Sequence, residues 1–499
     1  MQKRIATDLL SYLPAKFLPA LTAFITVPIF TRLFSPDQYG NYMLAFGISE
    51  FLLAGTSTGL IAGALRFYTA YRIESRLPAY FASLLTSVAG ISLLVAGISV
   101  AVLIAFRSSI SPGLYPLLWA SIVLFVVNGL FATLMQVVRA QEKSRQYTVF
   151  ELFNRYGGVA FSLALILLLG MSAEGMLWGQ ALALLIPIVP LVLLTTGRTG
   201  VRREHIDRAA INHLWRYAWP LALGNLALWS LRLSDRYIIE AFRGTYEVGL
   251  YSVSYNISGR SIDLVVGLFL MVPGPILMRT WEERGRRATE ESLTMITRMF
   301  LMFVIPAVVG ISIIAAPVVS LLADKPYFEG YRAIWLVAIS SMAFGLGQLG
   351  SLGILVSNRT RLITITQFIA AGASLAISFL TVPIFGYMGA AASAAVSFCI
   401  LAGSQGILSS RFLTWRWPVK SLVRILAASG VMAVAMLLVQ ALIDSGTSLS
   451  QAITVMAAVL VGGLAYGIGL WVFREISPAA LIRLVSPGPN TAAAKASPK

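Results

Sequence analysis

The chain is poor in the residues on which most enzyme sites are built. Its 499 residues include one cysteine and two histidines. A single cysteine, Cys399, excludes an internal disulfide and every multi-cysteine metal centre. It falls in an apolar run, where a small buried residue is expected. His205 and His213 sit in or beside one basic connector. They are expected to be solvated and not to hold a metal. Charge is scarce, at 12% of residues, and no stretch is polar enough to make a soluble domain. Asp-x-Asp, His-Glu-x-x-His, Cys-x-x-Cys and the phosphate-cradling Gly-x-x-x-x-Gly-Lys pattern are all missing. Glycosyl transfer or polymerisation at a membrane usually needs a sizeable outer loop, and none is present. The expectation is a transporter and not an enzyme, without a cofactor, for which any ATP would come from another chain.

What the chain has in abundance is apolar sequence. It is 58% hydrophobic and 11% aromatic, with 41 glycines, a composition that suits closely packed membrane helices. A bilayer core of roughly 30 Å needs about 20 apolar residues per helix. Fourteen segments meet that need, near 10–31, 41–65, 80–106, 114–137, 147–169, 174–196, 214–238, 246–273, 296–321, 330–356, 362–383, 388–409, 422–443 and 449–472. The alternation of a β-barrel is absent, so the fold class is an all-α polytopic membrane protein. The first apolar stretch follows two basic residues but holds Lys16 and no small-residue cleavage site. It reads as the first helix and not a removable signal.

The net charge is +17. In a soluble protein that would suggest nucleic acid. Here the Lys and Arg concentrate in alternate connectors, as cytoplasmic loops require. The opposite side holds only Arg32, Arg107, Arg243, Lys325 and Arg332. This split places both termini in the cytoplasm and excludes a nucleic-acid partner. Arg243, in an outer connector, is expected to be functionally neutral.

Three stretches recur about 210 residues later in the same order. Tyr12-Leu13-Pro14, Arg32 and Tyr39-Gly40-Asn41-Tyr42 are echoed by Ala218-Trp219-Pro220, Arg236 and Val248-Gly249-Leu250-Tyr251. The connector ending at Arg145 is echoed by the one ending at Arg361, and Gly170-to-Gly179 by Gly386-to-Gly389. Duplicated membrane proteins are usually transporters that rock two halves about a site between them. The expected organisation is a six-helix lobe over 1–196, a basic linker over 197–213, a second lobe over 214–409, two further helices over 410–473, and a cytoplasmic tail over 474–499. A duplicated chain supplies both lobes, so a monomer is expected. Pro14, Pro19 and Pro28 fall in the first helix and Pro220 opens the seventh, where they would bend the helix for opening or for static packing.

Charges inside the spans are costly and usually face a cavity or a partner. Seven are basic: Lys16, Arg66, Arg155, Arg216, Arg232, Arg236 and Arg260. Four are acidic: Glu50, Glu151, Asp235 and Asp263. The excess is positive, which favours an anionic cargo such as a diphosphate. Simpler readings stand beside that one. Glu151 and Arg155 are spaced for a helix-face ion pair, and Lys16, Arg66, Arg216 and Arg260 can reach the surface by snorkelling. Arg232, Asp235 and Arg236 share one helix face, where they either line the cavity or form a structural triad. Glu50 faces the cavity or pairs with Lys16 or another cation.

The run Val27-Pro28-Ile29-Phe30-Thr31-Arg32-Leu33-Phe34-Ser35-Pro36-Asp37-Gln38-Tyr39-Gly40 resembles the first-helix signature of the polysaccharide transporter family. Wzx-type O-antigen flippases belong to that family. Its superfamily, the multidrug/oligosaccharidyl-lipid/polysaccharide (MOP) flippases, also holds multidrug and toxin extrusion antiporters and lipid II flippases. Ser234-Asp235-Arg236-Tyr237 with Val248-Gly249-Leu250-Tyr251-Ser252 is similar to the family's seventh-helix pattern, and Gly386-Tyr387-Met388-Gly389-Ala390-Ala391 to its eleven-to-twelve connector. The resemblance implies two six-helix lobes around a V-shaped cavity, with two extra C-terminal helices. It implies a flippase that moves an undecaprenyl-diphosphate-linked oligosaccharide across the bacterial inner membrane by alternating access, coupled to a proton or sodium gradient. The implied partners are that lipid-linked oligosaccharide, membrane lipids, and the polymerase and glycosyltransferases of the same pathway. Arg32, Asp235 and Arg236 are carried over by motif. Arg66, Arg155, Arg232 and Arg260 as anion ligands, and Glu50, Glu151 and Asp263 as ion-coupling or pairing acids, rest on charge alone. The rivals are an ion-coupled small-molecule exporter of the same architecture and a polysaccharide polymerase or ligase.

Overall fold

The computed structural model describes residues 25–197, 202–270, 273–357, 359–443 and 448–475. Lys16, Pro14, Pro19 and the tail beyond 475 lie outside them. The described residues are helical throughout, without a strand. In chain order the helices are α1 (25–33), α2 (Pro36–Thr56), α3 (Thr58–Ile73), α4 (Leu77–Ala105), α5 (Tyr115–Ala140), α6 (Ser144–Leu169), α7 (Glu174–Leu185) and α8 (Ile188–Thr196). The second half holds α9 (Arg208–Arg243), α10 (Thr245–Ser254), α11 (Arg260–Leu270), α12 (Pro273–Ile313), α13 (Ala315–Leu322), α14 (Ile334–Val356), α15 (Arg361–Phe385), α16 (Tyr387–Ser410), α17 (Val419–Leu442) and α18 (Ser448–Val472). A π-helical turn, Tyr255–Gly259, joins α10 to α11.

Ten helices or joined pairs among the described residues are long and apolar enough to cross a membrane, or eleven with the bent α2–α3 pair. Of the fourteen segments expected, the first lies mostly outside the described residues. The seventh (α9) and the eighth (α10 to α11) are too polar or too broken to qualify. Those two carry six of the intramembrane charges named above: Arg216, Arg232, Asp235 and Arg236 on α9, and Arg260 and Asp263 on α11.

Local chemistry explains the main boundaries. Ser35 and Gln38 form a reciprocal capping box and Pro36 occupies the first turn, which starts α2. At the other end Thr56 and Thr58 hydroxyls donate to Leu52 and Ala54 carbonyls. Such back-bonding bends helices, and α2 meets α3 at 49°. Pro220 does not open α9 but lies twelve residues inside it, because Asp207 caps the helix by accepting the Ala209 N–H. The expected connector before the ninth span is instead the first part of α12, kinked at Gly285 with φ 74°. Cys399 is exposed on the bundle surface and not buried, since lipid, not protein, covers that face.

The two halves meet along α2, which packs on α9 and α10, and along α3, which packs on α9. One end of this seam is sealed. Thr245 Oγ1 donates to Asp37 Oδ1 at 2.8 Å, Asn256 Nδ2 to the Tyr39 hydroxyl at 3.0 Å, and the Tyr327 hydroxyl to Phe34 O at 2.9 Å. Near that end the connector after α9 clamps the α15–α16 turn. Arg243 donates to Val382 O and Ile384 O, and Glu247 Oε2 accepts the Tyr387 N–H at 2.8 Å. Arg243 therefore caps the end of α15 from its place in the connector. At the far end of α18, buried Glu475 takes Arg298 Nε at 2.5 Å and lies 3.5 Å from Arg424. This ties the last helix to α12 and α17.

Candidate functional site

A cavity of about 370 Å³ opens between α2 and α9. Residues 46, 50, 53 and 54 of α2 line one wall and residues 225, 228, 229 and 232 of α9 line the other. Both sets repeat at helical spacing, so each is one face of its helix. Tyr255 of the π turn and Phe344 of α14 complete the lining.

Arg232 is the cation on this wall. Its side chain is 40% exposed, its Nη2 lies 3.7 Å from Asp263 Oδ2, and its guanidinium sits 4.5 Å over the Phe344 ring. Asp235 and Arg236 do not join it. They lie about 5 Å further along α9 by the rise of a helix, at the level where α10 packs, and both are 3% exposed. Arg236 Nη1 donates to Asp235 Oδ1 at 3.1 Å and to Arg232 O at 2.9 Å. The Tyr251 hydroxyl donates to Asp235 Oδ2. The guanidinium stacks 4.7 Å from the Tyr255 ring and 5.3 Å from the Tyr251 ring. Every one of these partners belongs to the second half, and the pair neutralises itself away from the cavity surface.

Arg155 on α6 pairs with Glu151 at 3.2 Å and keeps 47% of its side chain exposed. Arg260 opens α11 and donates to Asn256 Oδ1 at 3.1 Å. It keeps exposed surface. Glu50 lines the cavity and forms no ion pair among the described residues. Arg66 is exposed at the α3–α9 seam with its guanidinium 5.1 Å over the Tyr217 ring, outside the cavity lining. Arg32 is exposed at the end of α1. The structure thus places Arg232 and Glu50 at one cavity, sets Asp263 against Arg232, and leaves Arg32, Arg66, Glu151, Arg155, Asp235, Arg236 and Arg260 outside its lining.

Several lining residues carry no charge and escaped the reading of intramembrane charges: Phe46, Thr58, Asn225, Trp229, Tyr255 and Phe344. One signal was available. Asn225, Trp229 and Arg232 form a polar and aromatic stripe at spacings of four and three on α9, in an otherwise apolar stretch.

The fold has counterparts among solved structures. A lipid II flippase, MurJ, in an inward-closed conformation aligns with a TM-score of 0.76 at 13% identity, over 94% of this chain and 99% of that one. A multidrug resistance MATE family transporter of the MOP superfamily, inward-facing, aligns at 0.66 and 13% identity, over 79% and 94%. A MOP superfamily transporter from Pyrococcus furiosus aligns at 0.59 and 13% identity, over 82% and 94%. No curated protein sequence matches. The polysaccharide biosynthesis protein family matches residues 29–329. That match spans more than half of a multi-pass membrane protein with the MOP transporter fold, and the chain belongs to the polysaccharide biosynthesis protein family.

Proposed function

We propose that the chain is a flippase for an undecaprenyl-diphosphate-linked oligosaccharide in a bacterial inner membrane. One observation carries this reading. Arg155 on α6 and Arg260 at the start of α11, one from each half of the chain, both keep exposed surface inside a membrane protein. Intramembrane cations usually face a cavity or a partner, and a negative charge is what complements them. A diphosphate supplies that charge, and guanidinium groups take phosphate oxygens two at a time. The family and the fold of a lipid II flippase support the same cargo class.

In this account the chain has fourteen spans, arranged as two six-helix lobes and a C-terminal pair, with both termini cytoplasmic and the sealed end of the seam outside. The monomer works by alternating access, driven by a proton or sodium gradient. Glu50, Glu151 and Asp263 exchange partners with the arginines as cargo enters. Glu50 on the cavity wall and Asp263 against Arg232 favour a second reading, export of a small organic cation. The two readings separate in cells whose surface glycan depends on this chain. Arg155→Ala and Arg260→Ala should each lose glycan export at normal protein level. Full export by both variants would remove these arginines as the anion's ligands, no dependence of any surface glycan on the chain would remove the flippase reading, and resistance to cationic drugs conferred by the chain would favour the second.

A further inference from the structure

We infer that the cavity has a separate compartment, built on Trp229, that holds uncharged sugar rings of the cargo and sets which glycan is moved. This rests on the flippase reading above. The compartment is the wall formed by Asn225 and Trp229 of α9 facing Phe46 and Glu50 of α2. Neither Arg155 nor Arg260 belongs to its lining. The one cation here, Arg232, is engaged by Asp263 and the Phe344 ring, and Glu50 adds a carboxylate. With one cation set against the carboxylates of Asp263 and Glu50, the wall carries no net positive charge to hold a diphosphate, and an organic cation meets Arg232.

A pyranose ring meets neither obstacle. It presents an apolar C–H face and a rim of adjacent hydroxyls. Trp229 offers a large planar surface in a fixed pose: its Nε1 donates to Gly47 O at 2.9 Å and its ring lies 4.8 Å from that of Phe51. Holding the indole by both contacts reduces the ordering cost of stacking a ligand on it. Asn225 uses one N–H on Leu221 O, at 3.0 Å, and its carbonyl and second N–H remain for a ligand. Glu50 accepts hydroxyl hydrogens at two oxygens. A site that hydrogen-bonds a ligand's hydroxyls rejects analogues lacking them strongly. The wall therefore supplies selectivity, while arginines outside it supply affinity for what every cargo shares.

The test uses the full-length protein in lipid nanodiscs and two probes, undecaprenyl diphosphate and undecaprenyl diphosphate bearing one hexose. Trp229→Ala and Asn225→Ala should each weaken binding of the hexose-bearing probe by about tenfold and leave the bare diphosphate unchanged. Trp229→Phe, which keeps a ring but loses the bond to Gly47, should retain most of the preference. Arg260→Ala should weaken both probes alike. The inference is overturned if Trp229→Ala weakens both probes equally or neither. If the unmodified protein binds neither probe, the flippase reading itself fails.

Discussion

Gly40 and Gly249 stand in the same relation to each other's helix. A Cβ on Gly40 would run into the carbonyl oxygen of Thr245, and a Cβ on Gly249 into that of Pro36. In each case the obstructed residue lies four positions before the opposite glycine. The contact is reciprocal, as an approximate two-fold axis between α2 and α10 requires. Small residues let membrane helices approach this closely, which explains why the Gly in each copy of the repeat is placed where it is. Gly40→Ala or Gly249→Ala should destabilise the detergent-solubilised protein by about 1–3 kcal/mol, the range for overpacking. The double variant should cost less than the two added together, because both changes open one seam. Thermal unfolding in detergent measures this, and strict additivity would show that the two glycines do not share a contact.

Arg236 and Asp235 should behave as a structural pair. Removing one partner of a buried ion pair leaves an uncompensated charge, at a cost of about 3–5 kcal/mol. Arg236→Ala is expected to lower the amount of folded protein in the membrane, and a double replacement of Asp235 and Arg236 by apolar residues should recover much of it. Arg232→Ala, on the cavity wall, should leave the amount unchanged. Quantified membrane fractions and size-exclusion profiles separate these outcomes.

Arg243→Ala is expected to destabilise modestly while retaining transport. The residue is exposed, so its two bonds to the end of α15 are worth about 1 kcal/mol together, below the range for hydrogen bonds from charged groups because water competes for the guanidinium. Faster inactivation in detergent with a normal initial rate of transport is the expected pattern. Loss of transport at normal stability would assign Arg243 a direct part in the cycle.

Orientation is open to labelling. Cys399 is exposed on the bundle, so it must first be replaced by alanine. In that background a cysteine at Ser111 should react with an impermeant reagent applied to intact spheroplasts. A cysteine at Ser144 should react only after permeabilisation. The reverse pattern would invert the topology deduced from the basic connectors.

Much of this molecule was legible in its sequence. Apolar length and the basic connectors mark an all-α membrane protein, and the echo of Gly40 in Gly249 marks the seam at which the halves meet. The fate of the charges was legible only in part. Spacing places Arg232, Asp235 and Arg236 on one face of α9 but says nothing of height, and one turn separates a cavity wall from a packed interior. The neutralising partners Tyr251 and Tyr255 come from α10 and the π turn, contacts that periodicity on α9 cannot reveal. The capping role of Arg243 depends on α15, nearly 140 residues away in sequence. Trp229 and Asn225 were passed over because neither bears a charge, although both lie on the stripe that ends at Arg232.

The central claim is that Arg155 and Arg260 take the anionic group of a lipid-linked glycan from one leaflet to the other. Its most direct test is reconstitution of the purified chain into proteoliposomes with a fluorescent undecaprenyl-diphosphate-linked oligosaccharide. Exposure of the glycan at the outer surface is followed with an impermeant quencher. The account predicts transfer well above that of protein-free vesicles, reduced about tenfold or more by Arg260→Ala through loss of one charge-assisted contact. Transfer no faster than in protein-free vesicles, or an undiminished rate in an Arg155→Ala/Arg260→Ala double variant, would contradict it.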